Sequence, residues 1–203
     1  MRAAPIGPRE EAGVLPVGSD GVRAGGWWGV WTLILTEAAL FFFLLLCYFY
    51  LAMQAPQAWP PGPLPHLMLP ALNTLVLLAS SVAVWLSEQA IKRSRRAPAL
   101  AALALAIVLG TVFVAVQLGE WRDRPYGLAT HQYGSVYFTI TGFHMLHVLA
   151  GLAVLLALFL WMALGYFDAR RHAALKIGGV YWHFVDVVWL FVFASLYLTP
   201  YLR

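Results

Sequence analysis

YWHFVDVVWLF, residues 181–191, is apolar enough to belong to a membrane helix, yet it carries a histidine and an aspartate three positions apart. On insertion scales a charged aspartate at the bilayer centre costs about 2.5–3.5 kcal/mol, so His183 and Asp186 need an offsetting partner if the stretch spans a membrane. The rest of the chain says that it does. Of 203 residues, 62% are hydrophobic and 11% charged, and the mean hydropathy is +0.75. Soluble domains carry about 25% charged residues. A pI of about 9.4 would suggest nucleic acid in a soluble protein. Here the basic residues lie between apolar runs, where they set topology, and no nucleic-acid partner is expected.

Working outward, about 20 consecutive apolar residues are needed to cross the hydrocarbon core. Five stretches qualify: 27–53, 72–91, 98–118, 136–164 and 180–198. None alternates polar and apolar residues as a barrel strand would, so the expected fold is all-α, an integral membrane bundle of five helices. Turn-rich breaks separate the spans: QAPQAWPPGPLPH, KRSRRAP, GEWRDRPYG and GYFDARRH. There is no internal repeat, and residues 27–203 read as one membrane domain.

Residues 1–26 lack the apolar core and cleavage site of a secretory signal and read as a flexible cytoplasmic tail, with the first span as an uncleaved anchor. Ten Lys and Arg residues fall on the side of this tail: Arg2, Arg9, Arg23, Lys92, Arg93, Arg95, Arg96, Arg170, Arg171 and Lys176. Three, Arg122, Arg124 and Arg203, fall on the other. The positive-inside rule then puts the amino terminus in the cytoplasm and the carboxyl terminus outside. The lone Cys47 reads as a small core residue and rules out an intrachain disulfide.

Glu37 lies about ten residues into its span, roughly 15 Å deep. A carboxylate at that depth holds a proton or finds a partner, which leaves a packing role and a proton-relay role both open. His144 and His147 share one face of the fourth span at i, i+3, and Gly151 one turn on would admit another helix. With His183 and Asp186 they form a candidate intramembrane polar cluster, the His–Asp groups satisfying one another across helices. A metal or haem site is the sharper alternative, since histidines on facing helices can ligate iron. Glu88 and Glu120 are read as interfacial, and His66, His131 and His172 as solvated loop residues. Trp27, Trp28, Trp59, Trp121, Tyr181, Trp182, Tyr197 and Tyr201 are read as surface aromatic belts.

Four stretches, in this order and spacing, resemble the third subunit of haem–copper terminal oxidases, cytochrome c oxidase in particular: LTEAALFF at 35–42, WPPGPLP at 59–65 leading into LNTLVLLASSV at 72–82, YGSVYFTITGFHMLHVLAGL at 133–152, and YWHFVDVVWLF. The resemblance runs from about residue 27 to 198. It implies a non-catalytic subunit of a proton-pumping oxidase that reduces oxygen to water, packed against a catalytic subunit that holds haem and copper. It implies no redox cofactor and no metal in this chain, bound phospholipid, support of proton uptake, and a place in a bacterial cell membrane. Glu37 matches the family's buried glutamate.

Two departures stand out. Longer members have seven helices, and this chain starts at what would be their third. Trp161 stands where longer members place a lipid-phosphate arginine, so lipid binding there is not carried over. The alternatives are a related subunit of a quinol oxidase or nitric oxide reductase, or a small proton-coupled transporter, although the repeats and broken helices common in transporters are missing.

Overall fold

The computed structural model describes residues 25–55, 58–61, 64–169 and 171–202, so most of the tail expected over 1–26 lies outside it. Five helices follow in order: α1 (Gly25–Gln54), α2 (Met68–Lys92), α3 (Arg96–Asp123), α4 (Gln132–Leu164) and α5 (Ala173–Phe193). A π-helical turn, Ala194–Leu198, and a 3-10 turn, Thr199–Tyr201, continue α5. All five helices are long and apolar enough to cross a membrane, and the chain is a multi-pass membrane protein.

The helices outrun the apolar stretches. Hydropathy marks only the hydrocarbon core, whereas a helix continues into the interface because its backbone bonds remain satisfied there. α3 extends past residue 118 to Asp123, and α5 starts at Ala173 rather than at 180. Glu120 is thereby held on a helix, and Trp182 and Asp186 fall well inside one.

The α2–α3 connection is three residues long. Its backbone N–H groups at Arg93, Ser94 and Arg95 donate to the last carbonyls of α2, at Ala90 and Ile91, so the helix end is closed by the turn itself. These two helices share the most extensive contact in the bundle, while α5 packs against α1, α2 and α4. α1 touches mainly α4 and α5. Most of its surface is open, including Trp28, Leu35, Phe42, Phe43 and Met53, as suits a face turned to lipid tails or to another membrane chain. Cys47 lies on α1 and is exposed, not a core residue as the sequence suggested.

The centre is built on Trp182. Its indole is fully buried, and its Nε1–H donates to Ser80 Oγ of α2 at 2.9 Å. A Cβ added to Gly110 of α3 or Gly151 of α4 would lie 2.8 or 2.7 Å from that ring. Two glycines thus admit one indole that touches three other helices. About two turns on, Trp189 Nε1 donates to Thr74 Oγ1 of α2 at 2.9 Å. Trp182, fully buried, is not a belt residue, because α5 begins nine residues before it. Tyr197, also fully buried, is not one either.

Candidate functional site

α1 and α4 bring Glu37 and His147 together. Glu37 Oε2 lies 3.0 Å from His147 Nε2, with side-chain exposures of 26% and 14%, so the pair opens onto the flank of the bundle and is not sealed in its core. His147 Nδ1 lies 2.7 Å from the carbonyl oxygen of Phe143, one turn back on α4. A carbonyl only accepts, so Nδ1 carries a hydrogen. Nε2 therefore meets the carboxyl group across a contact that holds one proton, written either as imidazolium and carboxylate or as neutral imidazole and carboxylic acid. Both forms are neutral as a pair, which is what a site inside a membrane requires. The ring of Phe41 stands edge-on to His147 at 5.1 Å, and Tyr181 OH donates to the His147 carbonyl at 3.3 Å.

The other members of the expected polar cluster find partners elsewhere. His144 is buried, its Nε2–H donating to Val185 O of α5 at 3.3 Å, and its ring packs against Trp189 at 4.7 Å and Phe113 at 5.8 Å. His183 Nδ1 is 2.6 Å from Ser81 Oγ of α2. Asp186, 3% exposed, shows no hydrogen-bond geometry for either carboxylate oxygen, although Ser81 is near enough to act on it. The three-residue spacing on α5 places His183 and Asp186 on one broad side without bonding them to each other. Among the described residues no group of three or more His, Cys, Asp or Glu side chains is arranged to hold a metal ion.

A second polar centre lies at the end of the bundle where α1 stops and α4 begins, built from residues that in sequence look interfacial, belt-like or solvated. Glu120 is 8% exposed, and its Oε1 accepts from Tyr197 OH at 2.8 Å and from Arg124 Nη2. Tyr197 OH is 3.0 Å from Tyr137 OH. The Arg124 guanidinium stands over the Tyr137 ring at 5.0 Å and the Tyr197 ring at 5.8 Å. Burial works against the Arg124 charge, but the field of Tyr137, Tyr197 and Glu120 outweighs it and the pKa is raised. Glu120 and Arg124 stand at i, i+4, a spacing that does signal an ion pair in sequence. His131, read as solvated, caps α4: its Nδ1 accepts from Gly134 N–H at 2.9 Å. A cavity of about 280 Å³ opens at this end, lined by Pro60, Pro65, His66, Glu120, Arg124 and Tyr133 among others.

Five long apolar helices, held by buried tryptophans and carrying a carboxyl–imidazole pair, define the class: a multi-pass helical membrane protein with ionisable groups in its interior. Over residues 10–201 the sequence matches the family model described as cytochrome c oxidase subunit III. The chain belongs to the cytochrome c oxidase subunit III family. Similar proteins include cytochrome c oxidase subunit 3 of Paracentrotus lividus, 38% identical over 173 residues, covering 81% of this chain and 66% of that one. The subunit of Struthio camelus is 39% identical over 173 residues, with the same two shares, 81% and 66%. That of Scyliorhinus canicula is 39% identical over 185 residues, covering 87% and 70%. The chain thus spans about two thirds of the length of the curated relatives it matches.

Proposed function

We propose that this chain is the third, non-catalytic subunit of an aerobic terminal oxidase of the cytochrome c oxidase type. It stabilises a catalytic subunit that holds the haems and copper, and it supports proton uptake while oxygen is reduced to water. Family membership supports the assembly role, and the bundle's open apolar flanks supply surface for another membrane chain. The observation that carries the proton role is the Glu37–His147 contact, where one proton lies between a carboxyl group and an imidazole whose other nitrogen is held by the Phe143 carbonyl. Such a contact can pass its proton to a neighbouring group and receive another with no rearrangement of helices. Its partial exposure lets a neighbouring subunit or a water file reach it.

The orientation, amino terminus inside and carboxyl terminus outside, is part of the proposal and rests on the excess of Lys and Arg on one side. The Arg96 guanidinium supports the architecture on that side: its Nε donates to Met162 O at 2.9 Å and its Nη2 to Ala163 O, tying the α2–α3 turn to the last carbonyls of α4.

The test is Glu37→Gln in the assembled oxidase. The amide fills the same space and donates to His147 Nε2, so the complex assembles in wild-type amount. It supplies no exchangeable acid, so proton uptake during turnover slows and the enzyme loses activity in fewer turnovers. Glu37→Ala removes both bond and bulk, and the yield of complex falls as well. Uptake and turnover lifetime unchanged in Glu37→Gln would refute the proton role and leave Glu37 a packing residue.

A further inference from the structure

The inward stripe of α3 runs Leu103, Ala106, Gly110, Phe113, Gln117, Glu120, and Arg124 continues it one turn beyond. Its Gln117–Arg124 end is polar, and protein satisfies that polarity only in part. Gln117 is 1% exposed with neither amide atom bonded, and Glu120 Oε2 and Arg124 Nε are buried without partners. On the facing helix α2, Asn73 is 3% exposed; its Nδ2 donates to Phe113 O at 3.2 Å, and its Oδ1 has no partner. Buried polar atoms are almost always paired, with protein or with water. Five orphans on adjacent turns of one helix pair are a pattern, not an accident of a single side chain.

Their chemistry names the missing partner. Going down the stripe, Arg124 offers a donor, Glu120 an acceptor, Gln117 both, and Asn73 an acceptor, so the occupant must accept at Arg124, donate at Glu120 and Asn73, and do both at Gln117. It must also be small enough to lie among side chains as buried as Phe113 and Gln117, at 0% and 1% exposure, and it must have an entrance. The cavity of about 280 Å³ provides the entrance, since Glu120 and Arg124 line both the cavity and the stripe. At about 30 Å³ of liquid volume per water, the cavity holds several. We propose that a file of bound waters enters from this cavity and follows α3 inward past Glu120 and Gln117 to Asn73, a hydrated inlet about 16 Å long by helical rise.

The inlet has a floor. Phe113 stands edge-on to Trp189 at 4.9 Å and to His144 at 5.8 Å, and the His144 ring lies tilted against Trp189 at 4.7 Å. On the far side of His144 comes Phe41, at 6.4 Å, and only then the Glu37–His147 pair. Water admitted at the loop end thus stops at an aromatic plug and does not reach that pair. The inlet does not depend on the proton role of Glu37.

Hydroxyl-radical footprinting by pulsed radiolysis tests this on the protein purified with its native partners, because radicals generated from bound water modify side chains beside it even where bulk solvent is excluded. Phe113 and Phe41 have the same chemistry and are both buried, at 0% and 3% exposure. The inlet predicts several-fold faster modification of Phe113 than of Phe41. In Gln117→Leu, which closes the file, Phe113 modification falls several-fold while Tyr197, beside Glu120, keeps its rate. Phe113 as inert as Phe41 in the wild-type protein would overturn the proposal without any variant. Equal modification of both rings would also overturn it, since that would report general breathing of the bundle. A Gln117→Leu protein with Phe113 modified at the wild-type rate would do the same.

Discussion

At the scale of single residues, the strongest statement concerns which nitrogen of His147 carries hydrogen. The 2.7 Å contact of Nδ1 with Phe143 O requires Nδ1–H, and the proton shared with Glu37 then belongs to the Nε2 side. Nitrogen-15 spectra of histidine-labelled protein should show the His147 Nδ1 shift in the protonated range, and it should stay there in Glu37→Gln. A bare Nδ1 would mean that the ring is turned and that the shared-proton picture fails. The sequence made Glu37 and His147 visible as ionisable residues at membrane depth, but not as partners. That pairing depends on the rotation of α1 against α4, which no spacing within either helix encodes. The expected cluster, in which the His–Asp groups of α4 and α5 satisfy one another across helices, is replaced by other partners for a related reason: His183 meets Ser81 of α2 and His144 meets the Val185 carbonyl.

At the scale of helices, sequence reading located all five and blurred their ends. Periodicity and hydropathy report the lipid-facing and buried middle, while the terminal turns are polar and carry the second centre. Glu120, four residues before Arg124, looks interfacial in sequence because the apolar run ends at residue 118; with α3 continuing to Asp123, the pair is an ordinary i, i+4 contact, with Tyr197 arriving from the far end of the chain. Trp182 was assigned to a belt from its place near the start of an apolar run. Gly151, by contrast, was legible as a point of close approach, and Trp182 is what approaches it. Gly151→Ala drives a methyl group into the indole and should destabilise the bundle by about 1–3 kcal/mol. Gly142→Ala on the same helix meets nothing within 4 Å and should be neutral, or stabilising by up to about 1 kcal/mol through helix propensity. Equal thermal stability of the two variants in detergent would show that the glycine does not set the α4–α5 approach.

At the scale of the whole molecule, the bundle is well packed around α5 and bare along α1. A membrane protein can leave such a flank to lipid, but the flank also carries the entrance to the Glu37–His147 pair, which is where a partner would gain from docking. The proposed topology rests on charge, and it predicts that, with Cys47 replaced by Ser, a membrane-impermeant maleimide applied to intact cells labels Leu128→Cys, between α3 and α4, and leaves Arg93→Cys, between α2 and α3, unlabelled. The reverse pattern would invert the proposed orientation and the side from which the pair could take protons.

The central claim is assembly into a terminal oxidase, and one measurement bears on it directly: purify the chain from native membranes in mild detergent through a carboxyl-terminal tag, then record reduced-minus-oxidised spectra and oxygen uptake. Haem bands that belong to a larger co-purifying chain, with oxygen consumption driven by reduced cytochrome c, are the expected result. A colourless protein that purifies alone as a stable oligomer, or haem that stays with this chain after the others are removed, would contradict it.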